Sequence, residues 1–435
     1  MRTIFLLNRI CPLGAAALLV WLVLSCAGFG QQKNWTMFHN LDGENISAET
    51  GLLNSWPEEG LKLLWKASEI GEGYSGYSSV AIQNGRLYTT GNKKIGDSIR
   101  HILYCFDLDG NLLWTYDNGP GWLNPYEGTR STPTLFGRLV YDLSPKGQLV
   151  CLDGRKGKPV WTRNILDDFE GEPPTWGLAE SVVLDGDNLI CCPGGKKAAV
   201  VALDKTTGKT IWEAEPTGDR AGYATAIIVQ QDGIRIWLNM TDQGLLGLNP
   251  NTGKQLFYQK YTQKYGVNAQ IPLYHDGQVV VANTADFDGQ GATAYRITVH
   301  GQDDATLEKV WQNRQADALM SCLMRYGDYI YGYSHTFRGG VWICLRWSDG
   351  KTVCVDREKG KGCLAMADGL FYCFSELGRY VTLKRPTPEK NDIVSQFRIP
   401  DLGQGNLWAH PVICDGRLYI RHSSWLFCYD VRAQK

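Results

Sequence analysis

The chain alternates short apolar runs with glycine-containing turns along most of its length. One such unit is "VVALDKTTGKTIWEAE" at 200–215, where an apolar run ends in a polar turn that closes on Gly208 and leads to Trp212. The apolar run predicts a buried strand, and the mixed run after the turn predicts a half-exposed one. Glycine suits this turn because it adopts the positive φ that a tight hairpin needs.

The same unit recurs along the chain. The position after the turn is occupied in other units by Trp65, Trp114, Trp161, Phe257, Trp311 and Cys354. A second signature, an apolar run, a turn glycine and another β-rich run, occurs around Gly85, Gly137, Gly186, Gly233, Gly277, Gly327, Gly369 and Gly416. These glycines are 42 to 52 residues apart, a period typical of repeat architectures.

Eight units of four short strands predict an all-β fold, an eight-bladed β-propeller of four-stranded antiparallel blades. We expect the recurring tryptophan to fill the wedge between neighbouring blades. The strand predicted at 61–67 lacks three preceding partners, and three strands at the C-terminus lack a fourth. We therefore expect 61–67 to complete the last blade and close the ring, with 61–435 as the propeller domain and 27–60 as an N-terminal arm outside the repeat.

The N-terminus predicts export. Arg2 and Arg9 flank the start of an apolar stretch too short for a typical membrane span, so residues 1–26 are interpreted as a signal peptide. Cys26 in "VLSC" is a candidate for lipidation, while cleavage after Ala27 and a retained anchor are the alternatives. We expect a protein that is periplasmic, lipid-anchored to the outer membrane or secreted, and that contacts a membrane only through such an anchor.

Composition limits the classes of partner that we expect for this protein. The formal net charge is −1 without a block of like charge, so we expect no nucleic acid partner. Cys105, Cys151, Cys344 and Cys428 recur at one position of one predicted strand, which favours small buried side chains over a disulfide framework. We expect a monomer.

The Cys-Leu-Asp, Thr-Gly-Lys and Trp pattern of these units resembles pyrroloquinoline-quinone-type propeller repeats over about 35–435. The segments "NWTMF", "WPEEGLKLLW" and "WAHPVICDGRLYIR" are similar to bacterial envelope proteins built of quinone-like propeller repeats. More distantly, the chain is similar to the eight-bladed lipoprotein of the outer-membrane barrel-assembly machine. This resemblance implies the fold but leaves the function open, because the family includes both cofactor-dependent dehydrogenases and proteins without a cofactor.

Loops between blades meet at one end of a propeller channel, where binding sites concentrate. These loops supply a set of aromatic and polar candidates for ligand binding: Tyr74, Tyr77, Glu127, Arg130, Trp176, Glu180, Tyr223, Asn268, Gln270, Trp408 and His410. Such a ring suits a small polar ligand, for example a carbohydrate or an acid. The alternative is that these residues only order the loops.

The resemblance also implies a catalytic alternative. In quinoprotein alcohol dehydrogenases an adjacent cysteine pair stacks on the quinone, and Cys191-Cys192 is such a pair. Glu180 and Asn268 are the candidate calcium ligands, but the loops offer no recognisable Asp as a general base.

We expect no cofactor, no metal and no catalytic residue, and a non-catalytic envelope propeller that binds a protein partner or a small polar ligand. A dehydrogenase that uses pyrroloquinoline quinone with calcium is the alternative, and a polysaccharide-active enzyme is a further one.

Overall fold

The protein is described from a computed structural model, which places residues 34–433 except 41–42, 69, 72–75, 285–287, 336–339, 358–360, 377–378 and 401–405. The predicted signal peptide, Cys26 and Tyr74 therefore lie outside the described residues. Eight four-stranded antiparallel sheets confirm the eight-bladed propeller, and one of them gains a fifth, parallel strand from the arm.

The described part of the arm and the segment after it contribute β1 (Ile46–Ser47) and β2 (Leu63–Ala67). Blade one contains β3 (Ala81–Gln83), β4 (Arg86–Ile95), β5 (Ser98–Asp107) and β6 (Leu112–Pro120). Blade two contains β7 (Thr134–Phe136), β8 (Leu139–Leu143), β9 (Gln148–Asp153) and β10 (Lys158–Asn164), followed by the short helix α1 (Ile165–Asp168). Blade three contains β11 (Val183–Asp185), β12 (Asn188–Cys191), β13 (Val201–Asp204) and β14 (Thr210–Glu213). Blade four contains β15 (Ile227–Gln231), β16 (Ile234–Met240), β17 (Gly244–Leu248) and β18 (Gln255–Lys260).

Blade five contains β19 (Leu273–His275), β20 (Gln278–Ala282), β21 (Ala292–Gly301) and β22 (Asp304–Asn313). Blade six contains β23 (Leu323–Tyr326), β24 (Tyr329–Ser334), β25 (Val341–Arg346) and β26 (Thr352–Asp356). Blade seven contains β27 (Gly362–Ala367), β28 (Leu370–Ser375), β29 (Tyr380–Arg385) and β30 (Asp392–Arg398). Blade eight contains β31 (Val412–Cys414), β32 (Arg417–His422) and β33 (Trp425–Asp430), and its fourth strand is β2.

Ring closure follows the prediction. Strand β2 pairs antiparallel with β33, and Trp65 lies opposite Cys428. The indole Nε1 of Trp65 donates a hydrogen bond of 2.8 Å to the carbonyl of Leu108 in blade one. The N-terminal strand thus completes the last blade and also contacts the first.

Tryptophan joins neighbouring blades at five junctions in the same way. The ring of Trp161 in blade two lies against Gly208 in the turn of blade three, where an added Cβ would approach Cδ2 of the ring to 2.7 Å. Its Nε1 donates to the carbonyl of Lys205 in that turn, at 3.1 Å. The other such pairs are Trp65 with Gly110, Trp114 with Gly157, Trp212 with Gly253 and Trp311 with Gly350. The recurring glycine therefore serves two purposes, a positive φ and room for an indole ring.

The recurring cysteines have a packing reason. Cys105, Cys151 and Cys428 lie on third strands directly opposite Trp114, Trp161 and Trp65. Ala202 and Ala294 occupy the same place opposite Trp212 and Trp311. A small side chain is needed there because the bulky indole takes the space across the strand pair. The eleven cysteines from Cys105 to Cys428 are free thiols.

Each outermost strand carries a β-bulge one residue before the tryptophan position. The pairing register shifts there in all eight blades. The bulged residues are aliphatic in every blade: Leu64, Leu113, Val160, Ile211, Leu256, Val310, Val353 and Val394. A bulge bends the strand and increases its twist.

The N-terminal arm crosses the central channel. First strands of the blades are largely buried while fourth strands are half exposed, so the first strands surround the axis. Trp35 pairs with Ile82 of β3, the carbonyl of Thr36 accepts from Leu135 N of β7, and β1 pairs with β27. One short segment therefore contacts first strands of blades one, two and seven. The described residues of the arm belong to the same compact unit as the blades.

The arm also seals the junction of blades seven and eight. Blade eight has no turn between its third and fourth strands, because β33 and β2 come from opposite ends of the chain. Blade seven accordingly has Ser395 at the tryptophan position. Trp56 of the arm fills this place: its backbone N–H donates to Ser395 Oγ at 2.8 Å, and its ring packs on Tyr372 and Phe397.

No helix among the described residues has the length and apolar character needed to cross a membrane. Within the same part of the chain, no group of three or more His, Cys, Asp or Glu side chains is arranged to hold a metal ion.

Candidate functional site

A cavity of about 620 Å³ lies at one end of the channel. Its walls come from the loops that enter the first strands, as the sequence predicted, and from loops that leave the second strands. Both sets meet at this end because adjacent strands are antiparallel, so the start of one lies beside the end of the next. Its floor includes Phe38 of the arm.

Six of the sequence candidates line this cavity: Tyr77, Arg130, Trp176, Tyr223, Trp408 and His410. The rings of Tyr77 and Trp408 lie 4.6 Å apart between centroids, and those of Trp176 and Tyr223 lie 5.8 Å apart. Aromatic rings from the loops of several blades therefore line the cavity.

Arg130 lies over the Tyr77 ring, with its guanidinium carbon 5.3 Å from the ring centroid. It donates to the carbonyls of Gly128 at 2.8 Å and Tyr126 at 2.5 Å. Burial lowers the pKa of its guanidinium to about 10, so the group remains cationic at neutral pH. The loop carbonyls fix its direction and leave further N–H groups for a ligand.

The remaining described candidates do not line the cavity. Glu180 is buried and accepts the backbone N–H of Cys192 at 2.6 Å, and burial raises the pKa of its carboxyl to about 8. Asn268 donates to the carbonyls of Thr241 and Tyr261. Gln270 hydrogen-bonds both the N–H and the carbonyl of Leu323 in blade six. Glu127 is half buried and lies outside the lining. Three of these side chains hold loops together.

Sequence reasoning missed several lining residues. Tyr126, Tyr265 and Met320 belong to the predicted loops but were not singled out. His335 and Glu376 follow second strands, and the antiparallel order of the strands was the signal that could have placed them. Phe38 had no such signal, because nothing in the repeat indicates that the arm enters the channel.

His410 of the cavity lining forms a buried pair with His39 of the arm. His410 Nε2 faces the carbonyl of Met320 at 2.6 Å, so that nitrogen carries the proton. Its Nδ1 then accepts from Nε2 of His39 on the arm, at 3.1 Å. Burial lowers the pKa of His410 to about 4, and burial together with His410 lowers the pKa of His39. The pair is neutral at pH 7.

Four further ionisable groups line the cavity: Asp317, His335, Lys361 and Glu376. Glu376 accepts from Nε1 of Trp408, and burial raises the pKa of its carboxyl. Asp317 accepts from Ser334 Oγ at 2.9 Å and lies 4.0 Å from His335 Nδ1. Burial and the charge of Lys361 lower the pKa of His335 to about 3.

The residues that the resemblance would assign to quinone and calcium do not fit that group. Cys191 and Cys192 are fully buried free thiols outside the cavity lining, and burial raises the pKa of each. Glu180 and Asn268 point at backbone groups in different loops. Neither the stacking pair nor the ligand pair therefore faces the cavity.

The fold and cavity define an eight-bladed propeller of the quinoprotein-like class with a cavity at one end of its channel. The sequence model of the family described as "Outer membrane protein assembly factor BamB" matches residues 48–191 and 170–303. These matches cover more than half of the chain, so the chain belongs to this family. The resemblance drawn from the sequence is thereby confirmed.

Proteins similar in sequence to this chain include an assembly factor and a dehydrogenase. The chain is 27% identical over 215 residues to the outer membrane protein assembly factor BamB of Xanthomonas campestris pv. campestris, covering 47% of this chain and 45% of that protein. It is 26% identical over 164 residues to a quinoprotein ethanol dehydrogenase of Pseudomonas aeruginosa, covering 34% of this chain and 25% of that protein. The matches thus span less than half the length of these relatives.

A solved structure supports the fold alone. The quinohemoprotein alcohol dehydrogenase ADHIIG of Pseudomonas putida HK5 superimposes with a TM-score of 0.60 at 12% identity, covering 92% of this chain and 81% of that one.

Proposed function

We propose that this protein is a non-catalytic propeller of the bacterial envelope that binds other proteins during outer membrane protein assembly. The observation that carries the proposal is the family match over 48–303. The placement of Glu180, Asn268 and the adjacent cysteines supports it further, because a dehydrogenase would need these groups at the cavity and here they hold loops or fill the core.

The experiment that tests the role is deletion of the gene in its source bacterium. The outer membrane fraction should then contain less folded, heat-modifiable β-barrel protein, and a plasmid copy should restore it. An unchanged amount of folded barrels in the deletion strain would reject the role in assembly.

Envelope location is tested separately by fractionation of cells that carry the full chain. We expect the protein in the membrane pellet, and Cys26→Ser should move it to the soluble periplasmic fraction if the cysteine is lipidated. Recovery of the unaltered protein in the cytoplasm would reject the location.

The dehydrogenase alternative is tested by a thermal scan with pyrroloquinoline quinone and calcium. A ligand present at about 100 times its dissociation constant adds about 2.7 kcal/mol to the free energy of unfolding. We expect no rise in melting temperature and no reduction of an electron-accepting dye with alcohols. A clear rise that Glu180→Ala abolishes would favour the dehydrogenase.

A further inference from the structure

The cavity lining combines aromatic rings with ionisable side chains. The rings form two pairs, Tyr77 with Trp408 and Trp176 with Tyr223. The negative face of an aromatic ring attracts weakly positive C–H groups. These rings suit a ligand with a flat face of C–H groups.

Ionisable side chains of both signs lie among these rings. Arg130 lies over the Tyr77 ring, Glu376 accepts from Trp408 Nε1, and Lys361 and Asp317 also line the cavity. An anionic ligand would meet the carboxyl groups, and a cationic ligand would meet the two basic side chains, so neither gains from the whole lining. A neutral ligand with many hydroxyl groups can use all of them, because each hydroxyl both donates and accepts.

His335 is a buried side chain with hydrogen-bonding capacity left over. It is 8% exposed and lines the cavity, and neither ring nitrogen has a hydrogen-bond partner among the placed residues. Its Nδ1 is 4.0 Å from Asp317 Oδ1, beyond hydrogen-bond range. Buried polar atoms normally have a partner, protein or bound molecule. Both ring nitrogens are covered by protein atoms, so a ligand hydroxyl reaches them only when the ring turns toward the cavity. A neutral imidazole then offers one donor and one acceptor, which matches a pair of hydroxyl groups.

We propose that this cavity is a binding site for a short neutral oligosaccharide, stacked on the aromatic rings and hydrogen-bonded to the polar side chains of the lining. The volume of about 620 Å³ lies within the range of small-molecule sites, about 300–1,000 Å³. The proposal goes beyond the scaffold role and does not depend on it, since it concerns purified protein and a soluble sugar.

The experiment is isothermal calorimetry on the purified mature chain with maltotetraose, cellotetraose and tetra-N-acetylchitotetraose. At least one should bind with a dissociation constant of about 1 mM or tighter. Anionic tetragalacturonate and a tripeptide containing tryptophan serve as competing ligand classes. Absence of binding by all three neutral sugars, or tighter binding of either competing ligand, would overturn the proposal.

Variants locate the site. His335→Leu should weaken binding about tenfold or more, because the sugar hydroxyl groups lose a hydrogen-bonding partner. Trp176→Ala should weaken binding to a similar extent, because it removes an aromatic ring from the lining. The matched control is His300→Leu on the hairpin of β21 and β22, where the imidazole bonds Thr306 outside the cavity; it should bind as the unaltered protein does. Melting curves show that each variant is folded. Unchanged binding in both cavity variants would place the sugar elsewhere and reject the site.

Discussion

Blade junctions built by the repeat differ from those built by the N-terminal arm. At the junction of blades three and four, Trp212 contacts Gly253 in the next turn and donates to the carbonyl of Pro250. At the junction of blades seven and eight, Trp56 supplies an indole from outside the repeat. The two rings are 8% and 7% exposed. An indole fills the wedge at both junctions; it comes from the repeat at the first and from a segment outside the repeat at the second.

The largest effect is expected from removing either indole. Trp212→Ala and Trp56→Ala should each lower the free energy of unfolding by about 3–5 kcal/mol, the usual loss for a buried aromatic ring. Guanidinium denaturation measures both. Leu113→Ala at an exposed bulge is the control and should stay within about 0.5 kcal/mol. A loss below that size for Trp56→Ala alone would show that the arm does not replace the repeat at this junction.

A smaller effect is the pH dependence of stability that arises from Glu180. The pKa of Glu180 is raised to about 8 in the folded chain, against about 4.3 in an unfolded one. Between these values the folded state keeps a proton that the unfolded state releases, so stability falls as pH rises. From about pH 5 to 7 this group should cost about 2–3 kcal/mol. Urea denaturation of Glu180→Gln, which keeps the acceptor for Cys192 N–H, should show a flatter profile; an identical slope would contradict the assignment.

The histidine pair that joins the arm to blade eight should behave in the opposite way. The pKa of His410 is lowered to about 4 in the folded chain, and an unfolded histidine has a pKa of about 6.5. Its stabilisation is complete above the unfolded value and is lost as pH falls toward the folded one, by about 2 kcal/mol between about pH 6.5 and 5. The two slopes offset each other in the unaltered protein. His410→Gln measured in the Glu180→Gln background should therefore reduce the loss of stability at acid pH. No reduction would contradict the assignment of this loss to His410.

The smallest effect isolates the indole contact of a turn glycine. Gly186 has a φ of 58°, and no atom lies within 4 Å of a Cβ added there. Gly208 has a φ of 71°, and a Cβ added there would lie 2.7 Å from Cδ2 of the Trp161 ring. Gly186→Ala should cost about 1–2 kcal/mol for the backbone alone. Gly208→Ala should cost about 1–2 kcal/mol more, for the displaced ring. Equal losses in thermal unfolding would mean that the ring moves aside freely.

Periodicity explains why so much of the fold was predictable. Blade number, ring closure by 61–67 and the buried cysteines all follow from positions that repeat, and repetition makes them visible in one sequence. The arm has no repeat to reveal it, and its contacts join residues such as Asn45 and Leu364 that are far apart in the chain. For the same reason the loops of the cavity were predicted but its floor was not. Glu180, Asn268 and Gln270 show that a polar residue in a binding loop can equally serve the loop itself.

The bulges before each tryptophan position bear on how this molecule behaves at high concentration. Every blade leaves the edge of its outermost strand open to solvent, so one molecule carries eight places where an extended segment of another chain could add as a further strand. A regular edge offers evenly spaced N–H and C=O groups, but the bulge shifts that spacing within each edge, in most blades near the start of the strand. An incoming strand could match the residues on one side of the bulge and not those on the other. The bulges thus oppose the growth of eight sheet edges into fibres.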